Sequence, residues 1–169
     1  NNAALGLILH DIGMTKLNSS LLNKSEKLTF KEKASIMSHI DIGERIFNRL
    51  YINDQEIRIC LLQHHERIDK SGYPDGKSRE DIHALALVCG VCDTFCAMIA
   101  ERPHSRPMSP LTAALALMDN KKTYPQDICK KLLNNLVRGR PEYQEILNNK
   151  AKLSMLIKTA RKHEQSYTR

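Results

Sequence analysis

Apolar residues recur along this chain at three- and four-residue spacing, and no segment alternates with the two-residue period of a half-buried strand. That rhythm restricts the chain to helices that bury a stripe of side chains on one another. Aromatic residues are only 5% of the total and none is Trp, so the core must rest on Leu, Ile, Ala and Met. The expected fold class is all-α, and 169 residues are enough for one domain with a core of its own.

Local signals mark the helices. An apolar run from Ala3 to Leu9 opens the chain. Thr29 with Glu32 is a capping-box pattern, followed by a stripe through Ile36, Ile40, Ile46, Phe47 and Leu50 with room for a bend. Asn53 with Glu56 reads as a second capping box ahead of Ile57 and Leu61. The stretch Asp69 to Gly76 is rich in turn residues and must be a loop. Helical character returns from Asp81 to about Glu101, and Ser109-Pro110 is an N-cap and first-turn pair. Helices are expected over 110–119, 125–137 and 141–163. The expected division is a main domain over 1–137, lacking its N-terminal helix because the chain is apolar from Ala3 onward, and a basic helical extension over 138–169.

The longest apolar run, Ala84 to Ala100, is shorter than the ~20 residues of a membrane span and carries Asp93 near its middle. A net charge of +7 favours an anionic ligand without specifying its kind. The late basic residues Arg138, Arg140, Lys150, Lys152, Lys158, Arg161, Lys162 and Arg169 have few aromatics among them. They read as a solvated face, and no DNA or RNA partner is expected. Five cysteines without a secretory signal fit reduced thiols in a cytoplasmic protein. Cys89, Cys92 and Cys96 share a helical face and read as small core residues.

Asp93 is the only charge in its apolar run. A lone buried carboxylate needs an Arg or a metal ion to compensate it. His10-Asp11 ends the first apolar helix, His39 lies on a buried face one turn before Gly43, and His64-His65 is a second adjacent pair on an apolar helix. Neighbouring helical residues diverge by about 100°, so each pair is expected to reach separate points of a shared site. Imidazole with carboxylate suits Fe, Mn, Co, Ni or Zn. Two such ions would activate a water for attack on phosphorus and neutralise the charge that develops.

His10-Asp-Ile-Gly13, His39-Ile-Asp-Ile-Gly43 and His64-His-Glu-Arg-Ile-Asp-Lys-Ser-Gly-Tyr-Pro-Asp-Gly76 resemble, in order, the motifs of the HD-GYP phosphodiesterases. Val91-Cys-Asp-Thr-Phe95 and Arg102-Pro103 resemble the motif that follows, so the likeness covers roughly residues 3–118. It implies an HD-superfamily helical bundle with a metal site in its core. The implied activity is hydrolysis of cyclic di-GMP to pGpG or GMP in bacterial signalling. His10, Asp11, His39, His64, His65 and Asp93 match metal ligands, among which Asp11, His39 and Asp93 are assigned the catalytic role. Two or three transition-metal ions are implied, Fe or Mn foremost, with Zn, Co or Ni as alternatives. Arg102 matches a phosphate-holding arginine, and Tyr73 and Pro74 belong to a loop flanking the site. Glu66 is expected to support the site rather than ligate. An upstream sensor or receiver domain in the same protein is the expected partner.

The chain also departs from the family pattern. The phosphate-contacting lysine after the HDIG motif is Met14 here, with Lys16 two residues later as a substitute contact. Lys70, Cys96 and His104 replace a usual Gly, Asp and Tyr. Two alternatives therefore stand beside the phosphodiesterase reading. One is an HD-GYP module with little or no activity that senses a cyclic dinucleotide or binds a protein; the other is an HD hydrolase of another nucleotide.

Overall fold

A computed structural model describes residues 2–102 and 106–167, with side chains as far as residue 161. Contacts divide the chain into two compact units, Asn1–Gly90 and Val91–Arg169. The first holds α1 (Asn2–Leu9), a short 3-10 helix (Ile12–Lys16), α2 (Ser19–Leu22), α3 (Phe30–Met37), α4 (His39–Arg49) and α5 (Gln55–Gln63). A loop then leads into α6 (Ala84–Ile99), whose second half belongs to the other unit. The second unit continues with α7 (Pro110–Asp119), α8 (Gln126–Val137), α9 (Pro141–Asn148) and α10 (Lys150–Tyr167). Among the described residues there is no strand; Asp69 and Ser78 pair in an isolated antiparallel bridge. The fold is all-α. No described helix is long and apolar enough to cross a membrane.

Side-chain caps set several of the helix starts. Thr29 and Glu32 form the reciprocal box at the head of α3, with Lys24 bonded to the same Glu32 at 2.7 Å. Ser109 accepts the Thr112 amide ahead of Pro110. The cap of α5 is Asp54, not Asn53: its carboxylate accepts the amides of both Glu56 and Ile57, which leaves no capping role for Asn53. The long stripe expected behind Thr29 is two helices, broken at Ser38. The helix expected over 141–163 is also two, because the Asn149 side chain accepts the amides of Ala151 and Lys152 and restarts the helix there.

In the first unit Phe47, Ile57 and Leu61 form the core, with Leu9, Ile12 and Ile52 packed against them. Burying each such side chain stabilises the fold by roughly 1.5–3 kcal/mol. In the second unit every residue from Leu111 to Leu117 is buried, so α7 is its central helix, and α8 and α10 pack on it. Arg161 on α10 grips Asp119 through two bonds of 2.6 and 2.9 Å. The basic residues Arg138, Arg140, Lys150, Lys152, Lys158 and Arg161 are all exposed, as expected of a solvated face. The expectation for the cysteines holds in part: Cys89 is buried, Cys92 is partly so and Cys96 is exposed.

Two glycines fix how the 3-10 helix meets α4. A Cβ on Gly13 would overlap the carbonyl of His39, a rigid backbone group. On Gly43 it would meet chiefly the two δ-methyls of Leu61, at 2.6 and 3.2 Å, and these can turn aside. Gly43→Ala should therefore cost the roughly 1–3 kcal/mol of ordinary overpacking. Gly13→Ala should cost more than that, because the backbone must move. Urea denaturation midpoints of the two variants check the order.

Candidate metal centre

Each histidine of the site sits where a helix ends. His10 follows α1, and its Nδ1 lies 2.8 Å from the Leu7 carbonyl. His39 follows the break after α3, with Nδ1 2.8 Å from the Ile36 carbonyl. His64 caps α5, with Nδ1 2.8 Å from the Cys60 carbonyl and 3.0 Å from that of Leu61. The last carbonyls of a helix lack intrahelical partners, so here they accept from imidazoles. A carbonyl only accepts; Nδ1 must therefore carry the proton in all three rings. In the neutral ring this leaves Nε2 as a lone pair on the opposite side, the tautomer that a metal ligand requires.

Those lone pairs face Asp11. The Asp11 carboxylate makes no capping bond to the 3-10 helix that it precedes. Its Oδ1 lies 3.3 Å from His39 Nε2 and 3.5 Å from His64 Nε2, and its Oδ2 lies 3.6 Å from His10 Nε2. One donor atom each from Asp11, His39, His64 and His65 falls within a sphere of mutual distances no greater than 4.8 Å. His39 and His64 are completely buried. Asp11 Oδ1 and the Nε2 atoms of His39, His64 and His65 are buried without a hydrogen bond.

Acceptors packed against acceptors repel unless a cation lies between them. Two ligands ~2.1 Å from one ion, at tetrahedral to octahedral angles, stand about 3.0–3.4 Å apart, close to the Asp11–His39 and Asp11–His64 separations. Burial works to raise the Asp11 carboxyl, but contact with His64 and the charges of His10, His64 and His39 outweigh it and hold the group below the usual carboxylate value. Burial pushes His39 down despite its Ile36 bond and the Asp11 charge. Burial, with the charges of His64 and Arg67 next, pushes His65 far below the ordinary imidazole value. One carboxylate among several imidazoles is a donor set suited to a transition-metal ion.

His65 is held differently from the other three. Its ring stacks on Tyr73 with centroids 4.5 Å apart and planes 20° from parallel. Tyr73 rides on a loop fastened by Glu66, which is 3% exposed and accepts the backbone amides of Asp75 and Lys77 through separate oxygens, both at 2.8 Å. Glu66 thus supports the site without joining the donor cluster, as the sequence suggests. Arg67 donates to the carbonyls of His64 and Glu66 and locks the turn. A Cβ on Gly72 would overlap the backbone of residues 65–67, which is why the loop can close so tightly there.

The remaining sequence candidates are placed as follows. Gly90 on α6 packs so closely on the His64 carbonyl that a Cβ would overlap it. Asp93 lies three residues later on the same helix, partly buried, in the second unit. Met14 is partly buried, while Lys16, Pro74 and Arg102 are exposed. Pro103 and His104 lie outside the described residues. Sequence reasoning missed the carbonyl anchors, the Glu66 clamp and the Tyr73–His65 stack. Only the acid placed directly after two histidines hinted at the clamp.

The family described as HD domain matches residues 1–127. A cyclic di-GMP phosphodiesterase of Pseudomonas aeruginosa is 37% identical over 105 residues, which is 62% of this chain and 25% of that protein. A 3'3'-cGAMP-specific phosphodiesterase of Vibrio cholerae is 34% identical over 134 residues, 76% of this chain and 29% of that protein. The chain thus spans between a quarter and a third of the length of these relatives. Among solved structures, an HDG"Y"P protein from Bdellovibrio bacteriovorus superposes with a TM-score of 0.64 at 23% identity, over 80% of this chain and 43% of that one; it shares the fold.

A bound ion should be visible in stability. At a concentration 100 times its Kd a metal adds about 2.7 kcal/mol, which in a protein of this size raises Tm by roughly 5–10 °C. Melting with and without Mn(II) or Co(II) should show that rise. Asp11→Asn should remove most of it, since the amide replaces a charged ligand with a neutral one.

Proposed function

Because the chain belongs to the HD domain family, we propose that it is a metal-dependent phosphodiesterase acting on cyclic dinucleotides, cyclic di-GMP first among them. The observation that carries this reading is the convergence of the Asp11 carboxylate with the Nε2 lone pairs of His39 and His64. The names of the relatives support the substrate class. His10, Asp11, His39, His64, His65 and Asp93 are the proposed ligands, and residues 1–137 the proposed catalytic domain. Helical register supports Asp93: three residues beyond Gly90, it falls on nearly the same face of α6.

Two or three transition-metal ions held there, Fe or Mn by preference, would supply an activated water and offset the charge on phosphorus. The chain's own residues do the rest. Helix-end carbonyls hold three imidazoles in one tautomer, so the ligand field needs no rearrangement when substrate arrives. Buried Phe47 and Leu61 beneath the ligands keep the cluster rigid. Arg102, a planar donor on an exposed segment, is proposed to bind a phosphate oxygen, with Lys16 as a second cation where Met14 cannot serve.

Incubation of the metal-loaded protein with cyclic di-GMP and, separately, 3'3'-cGAMP tests the reading by product analysis. The linear dinucleotide pGpG should form from the first. Asp93→Ala should leave helical content intact and lower turnover about a thousandfold, equivalent to ~4 kcal/mol of transition-state stabilisation. Arg102→Ala should weaken substrate binding roughly 10- to 150-fold, the worth of a charged hydrogen bond. Met14→Lys should strengthen it. Full turnover in a metal-stripped sample overturns the mechanism. Tight binding with no cleavage, unchanged by Met14→Lys, identifies a sensor instead.

A further inference from the structure

Three of the four site histidines are fixed by a hydrogen bond from Nδ1 to a backbone carbonyl, at 2.8 Å in each case. His65 has no such bond. Its ring contacts are the neighbouring imidazoles of His64 and His39, at 4.0 and 5.2 Å, and the stacked face of Tyr73. The stack on Tyr73, 20° from parallel, fixes the plane in which the His65 imidazole lies. The face of Tyr73 therefore does for His65 what a helix-end carbonyl does for the others.

Tyr73 in turn needs its loop held. The Tyr73 amide donates to the His65 carbonyl at 3.2 Å, which ties its backbone to the residue that its ring orients. Beyond Tyr73 the chain is caught by Glu66, whose two oxygens take the amides of Asp75 and Lys77. A carboxylate buried to 3% exposure is stable only when such bonds replace its hydration. Both anchors come from the residues on either side of one peptide bond, His65 and Glu66. The loop is thereby clamped at two points to the segment that carries the ligand.

We propose that Glu66 and Tyr73 are positioning residues for the metal ligand His65: Glu66 fastens the loop, and the ring of Tyr73 sets the plane in which the imidazole meets the cluster. This rests on the metal-centre reading above. It assigns Tyr73 a task in metal binding in addition to the substrate-side place that its motif implies, and it makes the ring, not the hydroxyl, the operative part.

The test uses the whole chain and three substitutions, Tyr73→Phe, Tyr73→Leu and Glu66→Gln, each read in two ways. In metal-free protein, proton NOEs between the His65 ring and those of His39 and His64 report the ring's placement. In a second measurement Co(II) is titrated in, and its d–d absorption reports affinity and ligand field. Tyr73→Phe should match the wild type in both. Tyr73→Leu should lose the NOEs and weaken Co(II) binding about 10- to 100-fold, the usual effect of removing support for a ligand. Glu66→Gln, which sets an NH2 against an amide donor, should speed hydrogen exchange at Asp75 and Lys77 and weaken Co(II) binding in the same direction. Adding it to Tyr73→Leu should cost little more, because both act along one path.

The proposal is overturned if Tyr73→Leu keeps the NOEs and the Co(II) affinity, or if Tyr73→Phe loses them. It is also overturned if the two losses add in full. Should Glu66→Gln fail to fold, the Tyr73 pair decides alone. Should the wild type take up no Co(II), the metal reading fails, and the NOEs in metal-free protein still decide whether Tyr73 sets the His65 ring.

Discussion

The site depends on the unsatisfied carbonyls at three helix ends. A helix leaves its last carbonyls without internal partners, and α1, α3 and α5 each present one or two of theirs to an imidazole. One interaction settles three matters together. It satisfies an orphan acceptor, fixes the protonated nitrogen, and aims the other nitrogen at Asp11. The negative ends of the helix dipoles also favour positive charge beyond them, so the backbone itself prepares the place for a cation. Only Asp11 adds a formal charge among the donors that converge in the first unit.

The candidate donors are held firmly because their sequence neighbours are core. Leu9 precedes His10, Ile12 follows Asp11, and Leu61 stands one turn before His64; all three pack in or against the cluster around Phe47. Displacing one of these donors would open that core, at the cost that cavities carry. The glycines work to the same end. Gly13 lets the 3-10 helix touch the His39 carbonyl, and Gly90 lets α6 touch that of His64. The HDIG glycine is thus a packing requirement, met where two backbones approach closer than any Cβ permits.

Much of the fold was legible because its signals are local. The capping box at Thr29, the Ser109-Pro110 start and the turn-rich loop after Asp69 each depend on a few adjacent residues. The misreadings arose where two local solutions compete. Asn53 and Asp54 are both good caps, and the carboxylate that reaches two amides prevails. An apolar stripe continues through Ser38 and through Asn149 alike, yet the helix stops at each. Periodicity records which face is buried, and it does not record a break that preserves the face.

The candidate donors stand out in the sequence, but the way the chain gathers them does not. On a continuous helix His10-Asp11 and His64-His65 would point about 100° apart, which suggested two separate points of attachment for each pair. Both pairs instead sit just past the last helical residue, Leu9 in one case and Gln63 in the other. Off the helix, neighbouring side chains are free to converge, and Asp11, His64 and His65 share one cluster with His39. Each adjacent pair of candidate donors here marks a helix terminus, where the first residue caps the helix behind it while the second turns inward. The break at Ser38 obeys the same logic: without it the Ile36 carbonyl would lie inside a helix, and His39 would lack the partner that fixes its tautomer.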